Sequence, residues 1–197
     1  MYMATRRRKS KPSLSDLIYK HSPIKRGVLV VKDEDKPHSN FDKIMSKLYL
    51  GNVKASRDKE FFSSKKIKAV LNCSKDIPNT FDCAKDIEYM RIPIDDSLKE
   101  IDFEKAFLFM PSAIEFIYKH VVLEKHNVLV HCWAGRQRSA IMIAAFLMEK
   151  MKMTPIQACK FLVDHRSETF HFGKSLNFEV SLEKYYKELQ KYKHCKK

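Results

Sequence analysis

Residues 127–148, NVLVHCWAGRQRSAIMIAAFLM, limit the fold more than any other part of the chain. NVLVH is a continuous apolar run of strand length, the pattern of a strand covered on both faces. The apolar run that follows has helical character and predicts a helix near 138–151. Between them lie a cysteine, a glycine and two arginines. A buried strand joined to a helix by a short loop is the building unit of a sheet with helices packed on its faces.

The flanking sequence repeats the unit. SKLYLG (46–51) reads as a strand ending in Gly51, ASRDKEFFSSKK (55–66) as a short helix, and KAVLNC (68–73) and IEYMRIPI (87–94) as two further strands. Residues 104–120 carry a helical pattern, with Pro111 expected at a helix start or a kink. TPIQACKFLVDHR (154–166) opens with Thr154 as N-cap, Pro155 at the first helical position and Gln157 completing a capping box. SLEKYYKELQKY (181–192) reads as a last, surface-lying helix. Strands alternating with helices predict an α/β fold, with a compact, mostly parallel central sheet of about five strands flanked by helices.

At 197 residues the chain is long enough for one domain with a proper core. Residues 41–197 are expected to form it, and residues 1–40 read as a basic extension, partly helical or disordered. There RRRKSKPS and KDEDKPHSN look like loops, GVLVVK (27–32) has the pattern of a strand, and SLSDLIYKH places Leu14, Leu17 and Ile18 along one helical side. A helix so short is marginal alone in water. Its apolar side therefore needs cover, from its own domain or from a second copy in a homodimer.

The net charge of +14 is uneven: residues 1–40 hold ten Lys/Arg against four Asp/Glu, and residues 181–197 hold six against two. Two readings stay open, solubilising ends or contact with nucleic acid, an acidic partner or an anionic membrane surface. No apolar run approaches the roughly 18 residues of a membrane span, so the chain is not expected to be transmembrane. The N-terminus lacks the apolar stretch of a secretory signal. Five cysteines, odd in number and with no close pair, argue against a disulfide framework or a zinc site. They suit a reducing compartment, so a cytoplasmic location is expected, with a nuclear one as the second choice because RRRKSK suits nuclear import as well as it suits an acidic partner. No cofactor motif and no metal-ligand constellation stands out.

The cysteine of the opening stretch, Cys132, lies just past the carboxyl end of a parallel strand, where open α/β sheets bind ligands. The loop CWAGRQR can turn its backbone N–H groups inward as an anion-binding nest. The following helix adds the positive end of its dipole. Gly135 permits a turn that a side chain resists. Such surroundings favour a thiolate, and they equally suit a tetrahedral oxyanion. Arg138 can hold two phosphate oxygens in its planar fork. The residues thus specify a nucleophile and a phosphate cradle at one point.

HCWAGRQRS matches the His-Cys-x5-Arg-Ser/Thr pattern of the cysteine-based protein tyrosine phosphatases, and its HCxAGxxRSA form resembles the dual-specificity branch. SKLYLGN, KAVLNCS and YMRIPIDDS resemble, in order, that family's first strand, its next strand and the segment carrying its general acid, so the likeness covers about residues 43–190. It implies the protein tyrosine phosphatase-like fold of the dual-specificity type. It also implies phosphorylated proteins as substrates, hydrolysed at phosphotyrosine and phosphoserine/threonine without a metal or other cofactor.

Residue by residue, the resemblance implies Cys132 as nucleophile, Arg138 as ligand of the phosphoryl oxygens, and Asp96 as general acid in preference to Asp95. Ser139 would donate to the cysteine sulfur. Trp133, Ala134, Gly135, Arg136 and Gln137 would complete the phosphate loop, and His131 would position it. Gln137 stands where many members have Ser or Gly. Arg136 keeps open a second reading, phosphoinositides or other non-protein phosphates, while Trp133 replaces a basic residue of the lipid phosphatases and weakens it. A third reading is a phosphate-binding scaffold that has lost catalysis. Phe170 and Phe172 are expected to cover the core rather than to line the pocket mouth, Cys73 to end a strand near Cys132, and His171 has no assignable role. The Lys-rich, Gly-poor composition suits an AT-rich genome, and the N-terminal extension and the GRQRSA loop resemble dual-specificity phosphatases of large DNA viruses, which would place the protein in a host cell or a virion.

Overall fold

The computed structural model describes residues 39–97, 99–170 and 178–194. The expected helix with Leu14, Leu17 and Ile18, the homodimer it would serve, the strand at 27–32, and His171 and Phe172 all lie outside the described residues.

Five strands form one sheet: β1 (Phe41–Met45), β2 (Leu48–Gly51), β3 (Ile67–Asn72), β4 (Glu88–Arg91) and β5 (Asn127–His131). Their order is β1-β2-β5-β3-β4, with β5 in the centre. β2, β5, β3 and β4 pair in parallel, and β1 pairs antiparallel with β2. The expected single strand over 46–51 is therefore corrected. Ser46 and Lys47 form a turn, with Lys47 at φ +67°, and the strand starts at Leu48. The preceding FDKIM returns as the hairpin partner. The sequence shows no glycine there to announce the left-handed residue, so the hairpin was not legible.

Strand side chains alternate between two unequal layers. Leu48, Leu50, Ala69, Leu71, Val128 and Val130 face the larger core under four helices. These are α2 (Glu100–Tyr118), α3 (Arg138–Lys150), α4 (Pro155–His165) and α5 (Glu179–His194). Tyr49, Val70 and Leu129 face the smaller core, which Phe61 and Phe62 of α1 (Lys59–Ser64) close. Asp58 caps α1 by accepting a hydrogen bond from the Phe61 N–H at 3.0 Å. The expected capping box of α4 is present, Thr154 Oγ1 accepting from Gln157 N and Gln157 Oε1 from Thr154 N.

α3 is buried from Arg138 to Met148. A helix without a polar face needs cover on all sides, and the sheet, α2, α4 and α5 supply it. Burying one large aliphatic or aromatic side chain is worth about 1.5–3 kcal/mol, so this helix anchors the loop before it.

Pro111 lies in the middle of α2 on its exposed side, not at a start. The helix continues through it, leaving the Phe107 carbonyl without its usual helical donor. α2 then widens into a π turn over Lys119–Leu123. The combined stretch Glu100–Leu123 is long and apolar enough by composition to cross a bilayer, which corrects the expectation that no segment approaches that length. Its apolar side, with Ala106, Met110, Ala113, Ile114 and Ile117, is fully buried in the protein core.

Candidate active site

Cys132 follows β5 directly, and α3 starts at Arg138. The loop between them is clamped from two sides. On one side Val53 N–H donates to the Trp133 carbonyl at 3.0 Å. Gly135, at φ +66°, crosses so close to Gly51 that a Cβ would stand 2.5 Å from the Gly51 carbonyl oxygen. Two glycines therefore meet where any side chain would separate the loop from the end of β2. Asn52 locks that strand end, its Oδ1 accepting from Lys54 N and Ala55 N at 2.9 and 3.1 Å.

On the other side stands Arg166, which the sequence reading missed. Its buried guanidinium donates from Nε to the Gly135 carbonyl at 3.0 Å and from Nη1 to the Ser39 carbonyl at 2.9 Å. It also pairs with Asp42 and lies 3.6 Å from Glu168. Arg136 donates from Nε to the same Glu168 at 3.0 Å, and Phe170 N–H donates to the Arg136 carbonyl at 3.0 Å. Residues 166–170 thus strap the loop tip. The only sequence signal was an arginine just after a helix end, which says nothing of a partner some thirty residues earlier in the chain. Phe170 is buried in the larger core, as expected.

Within the clamp two donors converge on the cysteine sulfur: Gly135 N–H at 3.3 Å and Ser139 Oγ at 3.2 Å. Cys132 itself is 2% exposed. Among the described residues, the N–H groups of Trp133, Ala134 and Gln137 donate to no carbonyl or side chain. They form the nest that an oxyanion fits. Arg138 closes the site. Its Nη1 donates to the Ile94 carbonyl at 3.3 Å, and its Nη2 lies 3.4 Å from Asp96 Oδ2. The Asp96 side chain is half exposed, while Asp95 accepts from the Asp96 N–H at 2.8 Å and so shapes the local turn.

The structure thus brings Cys132, Arg138, Ser139 and Asp96 together. It places Trp133 at the rim, 63% exposed, and turns Arg136 to its carboxylate partner. Gln137 is buried beneath the loop. His131 is fully buried one residue before the thiol, and burial pushes its pKa down to about 4, with a weaker opposing pull from the Cys132 backbone. It is therefore a neutral ring under the loop at neutral pH. Cys73 lies just past the end of the neighbouring strand β3, its N–H donating to the His131 carbonyl at 2.8 Å. Burial pushes its thiol well up, the nearby Cys132 adds to the shift, and Arg138 opposes it. Cys73 stays protonated and makes no nucleophile.

Comparison with known proteins agrees with this arrangement. The family described as "Dual specificity phosphatase, catalytic domain" matches residues 48–188. Mouse dual specificity protein phosphatase 8 is 36% identical over 150 residues, covering 74% of this chain and 22% of that protein. Human dual specificity protein phosphatase 9 is 34% identical over 143 residues, covering 71% and 36%. The chain spans only about a fifth to a third of the length of these relatives. The crystal structure of human DUSP28 superposes with a TM-score of 0.67 at 21% identity, covering 78% of this chain and 97% of that one, and supports the fold. The family match over residues 48–188, together with relatives 34–36% identical over 71–74% of the chain, leaves one assignment: the chain belongs to the dual specificity phosphatase family.

Proposed function

We propose that the chain hydrolyses phosphate monoesters of proteins, at phosphotyrosine and phosphoserine/threonine, through a cysteinyl-phosphate. The observation that carries the reading is the convergence of Gly135 N–H and Ser139 Oγ on Cys132 Sγ, in a loop that ends on Arg138, whose guanidinium lies 3.4 Å from Asp96. Sγ attacks phosphorus in line while the bond to the leaving oxygen breaks. The nest and Arg138 take the charge that builds on the phosphoryl oxygens. Asp96 gives its proton to the leaving oxygen, then accepts one from the water that attacks the phosphocysteine. Ser139 donates to the sulfur as it departs.

Protein substrates are supported by the curated relatives, which are named as protein phosphatases. The lipid reading loses support because Arg136, the loop cation it relies on, is engaged by Glu168. The scaffold reading loses support because no group the chemistry needs is missing. A cytoplasmic location and a large-DNA-virus source belong to the same proposal, the first resting on cysteine usage and the second on the N-terminal extension and the form of the loop.

The test compares turnover of a phosphopeptide panel, phosphoinositides and a small aryl phosphate by the full chain. Faster release of phosphate from the peptides is expected. Release from the inositides alone overturns the choice of substrate, and no release from any of the three overturns the enzyme reading.

A further inference from the structure

At the opposite end of β5 from the thiol, the fold assembles a group that the sequence did not announce. His120, Glu124 and His126 each bring one ligand atom to a common point. His120 Nδ1 and His126 Nδ1 face each other at 3.3 Å, and Glu124 Oε2 lies 2.8 Å from the first and 3.1 Å from the second. The spacing in the chain, His-x3-Glu-x-His, is not that of a regular helical site. It works here because α2 widens into the π turn at Lys119–Leu123, a feature that often marks functional positions. Glu124 N–H closes that turn on the Lys119 carbonyl at 2.9 Å. Lys125 at φ +58° then reverses the chain, and His126 N–H donates to the His120 carbonyl at 2.8 Å. The backbone thus pins the two imidazoles against each other.

We infer that this group is a binding site for a divalent transition metal ion, with zinc as the best fit. Ligand atoms at zinc's usual bond lengths of about 2.0–2.1 Å in a tetrahedron stand about 3.3 Å apart, the separation of the two ring nitrogens. The second, independent observation is His120 itself. Its side chain is 1% exposed, and its remaining nitrogen, Nε2, makes no hydrogen bond although the Glu88 carboxylate stands 3.4 Å away. Binding through Nδ1 requires the proton on Nε2, where Glu88 can receive it. A carboxylate behind the second nitrogen is the usual support of a metal-bound histidine.

Lys119 opposes a cation here, but both Glu88 oxygens hold its ammonium at 2.8 Å. Glu88 and Glu124 face it, and of the two further lysines that line the cleft beside the group, Lys68 and Lys85, the first is held by Asp86. A surface cleft of about 400 Å³ beside His120, His126 and Glu88 gives the ion a way in and leaves room for a water as fourth ligand. The ion would tie the end of α2 to the start of β5, the strand that carries Cys132 at its far end. The site does not depend on the proposed activity.

Because a reactive thiolate also takes zinc, the experiment uses the full chain as Cys132→Ser, stripped with a chelator. Zinc chloride is titrated in by calorimetry, with cobalt as a spectroscopic substitute. One equivalent of zinc is expected to bind and to raise the Tm. Cobalt should give the visible bands of a tetrahedral site without a thiolate charge-transfer band. Adding His126→Ala, or separately Glu124→Gln, should weaken binding by more than the roughly 10–100-fold typical of losing an outer-sphere partner. His126 is partly exposed, so its loss leaves the fold intact by circular dichroism. No binding at micromolar zinc, or equal binding by the His126→Ala chain, overturns the inference. In that case a proton shared among the three side chains is the only occupant.

Discussion

Cys132 and Cys73 end neighbouring central strands, and the register pairs the residues before them, His131 with Asn72. Both thiols are buried. What differs is the loop each one opens. After Cys73 the loop satisfies itself: Asn72 Nδ2 donates to the Ile77 carbonyl and to Asn79 Oδ1, and Ser74 Oγ donates to Asn72 Oδ1. Its arginine, Arg91, is spent on the carbonyls of Ser74 and Ile77 at 3.0 and 2.7 Å. After Cys132 the clamp comes from outside, through Gly51, Val53 and Arg166. The N–H groups of Trp133, Ala134 and Gln137 are therefore left, among the described residues, to face a substrate beside Arg138. A cysteine at a strand end becomes reactive through where the loop's hydrogen bonds are spent, not through burial or strand position.

The contrast breaks most directly by exchanging sulfur for oxygen at each site. Cys132→Ser is expected to lower aryl phosphate hydrolysis by at least about 10⁴-fold while the fold persists, because a serine hydroxyl stays protonated and attacks poorly. Cys73→Ser should keep activity within a few-fold of the parent. Initial rates and circular dichroism on both variants check this, and equal losses would dissolve the distinction between the two loops.

Next in size is the acid that only the Cys132 site possesses. Asp96→Asn should slow phosphoserine peptides by about 10²–10⁴-fold, the usual worth of a general acid. It should slow an activated aryl ester far less, since that leaving group barely needs a proton. Asp95→Asn should change neither by more than a few-fold, its carboxylate being engaged with backbone. Parallel rate measurements decide it, and the reverse pattern would move the acid by one residue.

The external clamp can be loosened at Gly135. Gly135→Ala places a Cβ 2.5 Å from the Gly51 carbonyl oxygen, backbone against backbone, at a left-handed φ. A stability loss of about 3 kcal/mol or more is expected, read as a lower denaturant midpoint, together with lost activity. A midpoint unchanged from the parent would show that the glycine contact does not hold the loop.

The smallest effect sharpens the contrast between His131 and Asn72. Asn72 is satisfied by hydrogen bonds, whereas His131 is buried as a neutral ring with a pKa of about 4. Its unfolded value is near 6.5, so the folded value is depressed. Its contribution is present in full above about pH 6.5 and is lost as pH falls from there towards 4, because the unfolded chain takes up the proton first. The loss should reach about 2 kcal/mol by pH about 5 and about 3 kcal/mol by pH about 4. Urea midpoints against pH measure it, and His131→Asn should flatten most of the slope. His120, whose pKa is lowered by burial in the same sense, leaves a residual slope. An unchanged slope in His131→Asn would place the pH sensitivity elsewhere.

Much of this was legible in the chain itself. A buried strand, a cysteine, a short glycine-bearing loop and an arginine opening a helix are local facts, and local sequence dictates local geometry. The α/β alternation, the capping box at Thr154 and the membership of Cys132, Arg138 and Ser139 in one loop needed no fold to be read. Asp96 was reached only through the resemblance, since nothing in IPIDDS itself separates it from Asp95.

What tertiary structure decided lies wherever partners are distant in sequence. The antiparallel β1 was hidden because its turn residue, Lys47, has no sequence mark of a left-handed backbone. Arg166 was hidden because its role is to satisfy the Gly135 carbonyl 31 residues earlier in the chain. The His120, Glu124 and His126 group was hidden because the reversal at Lys125, after the π turn, brings His126 onto a His120–Glu124 pair that helical spacing alone would leave without it. Sequence patterns carry the periodic part of the energy, the apolar faces of strands and helices. Buried polar atoms are satisfied only by whatever the finished fold places within hydrogen-bonding reach.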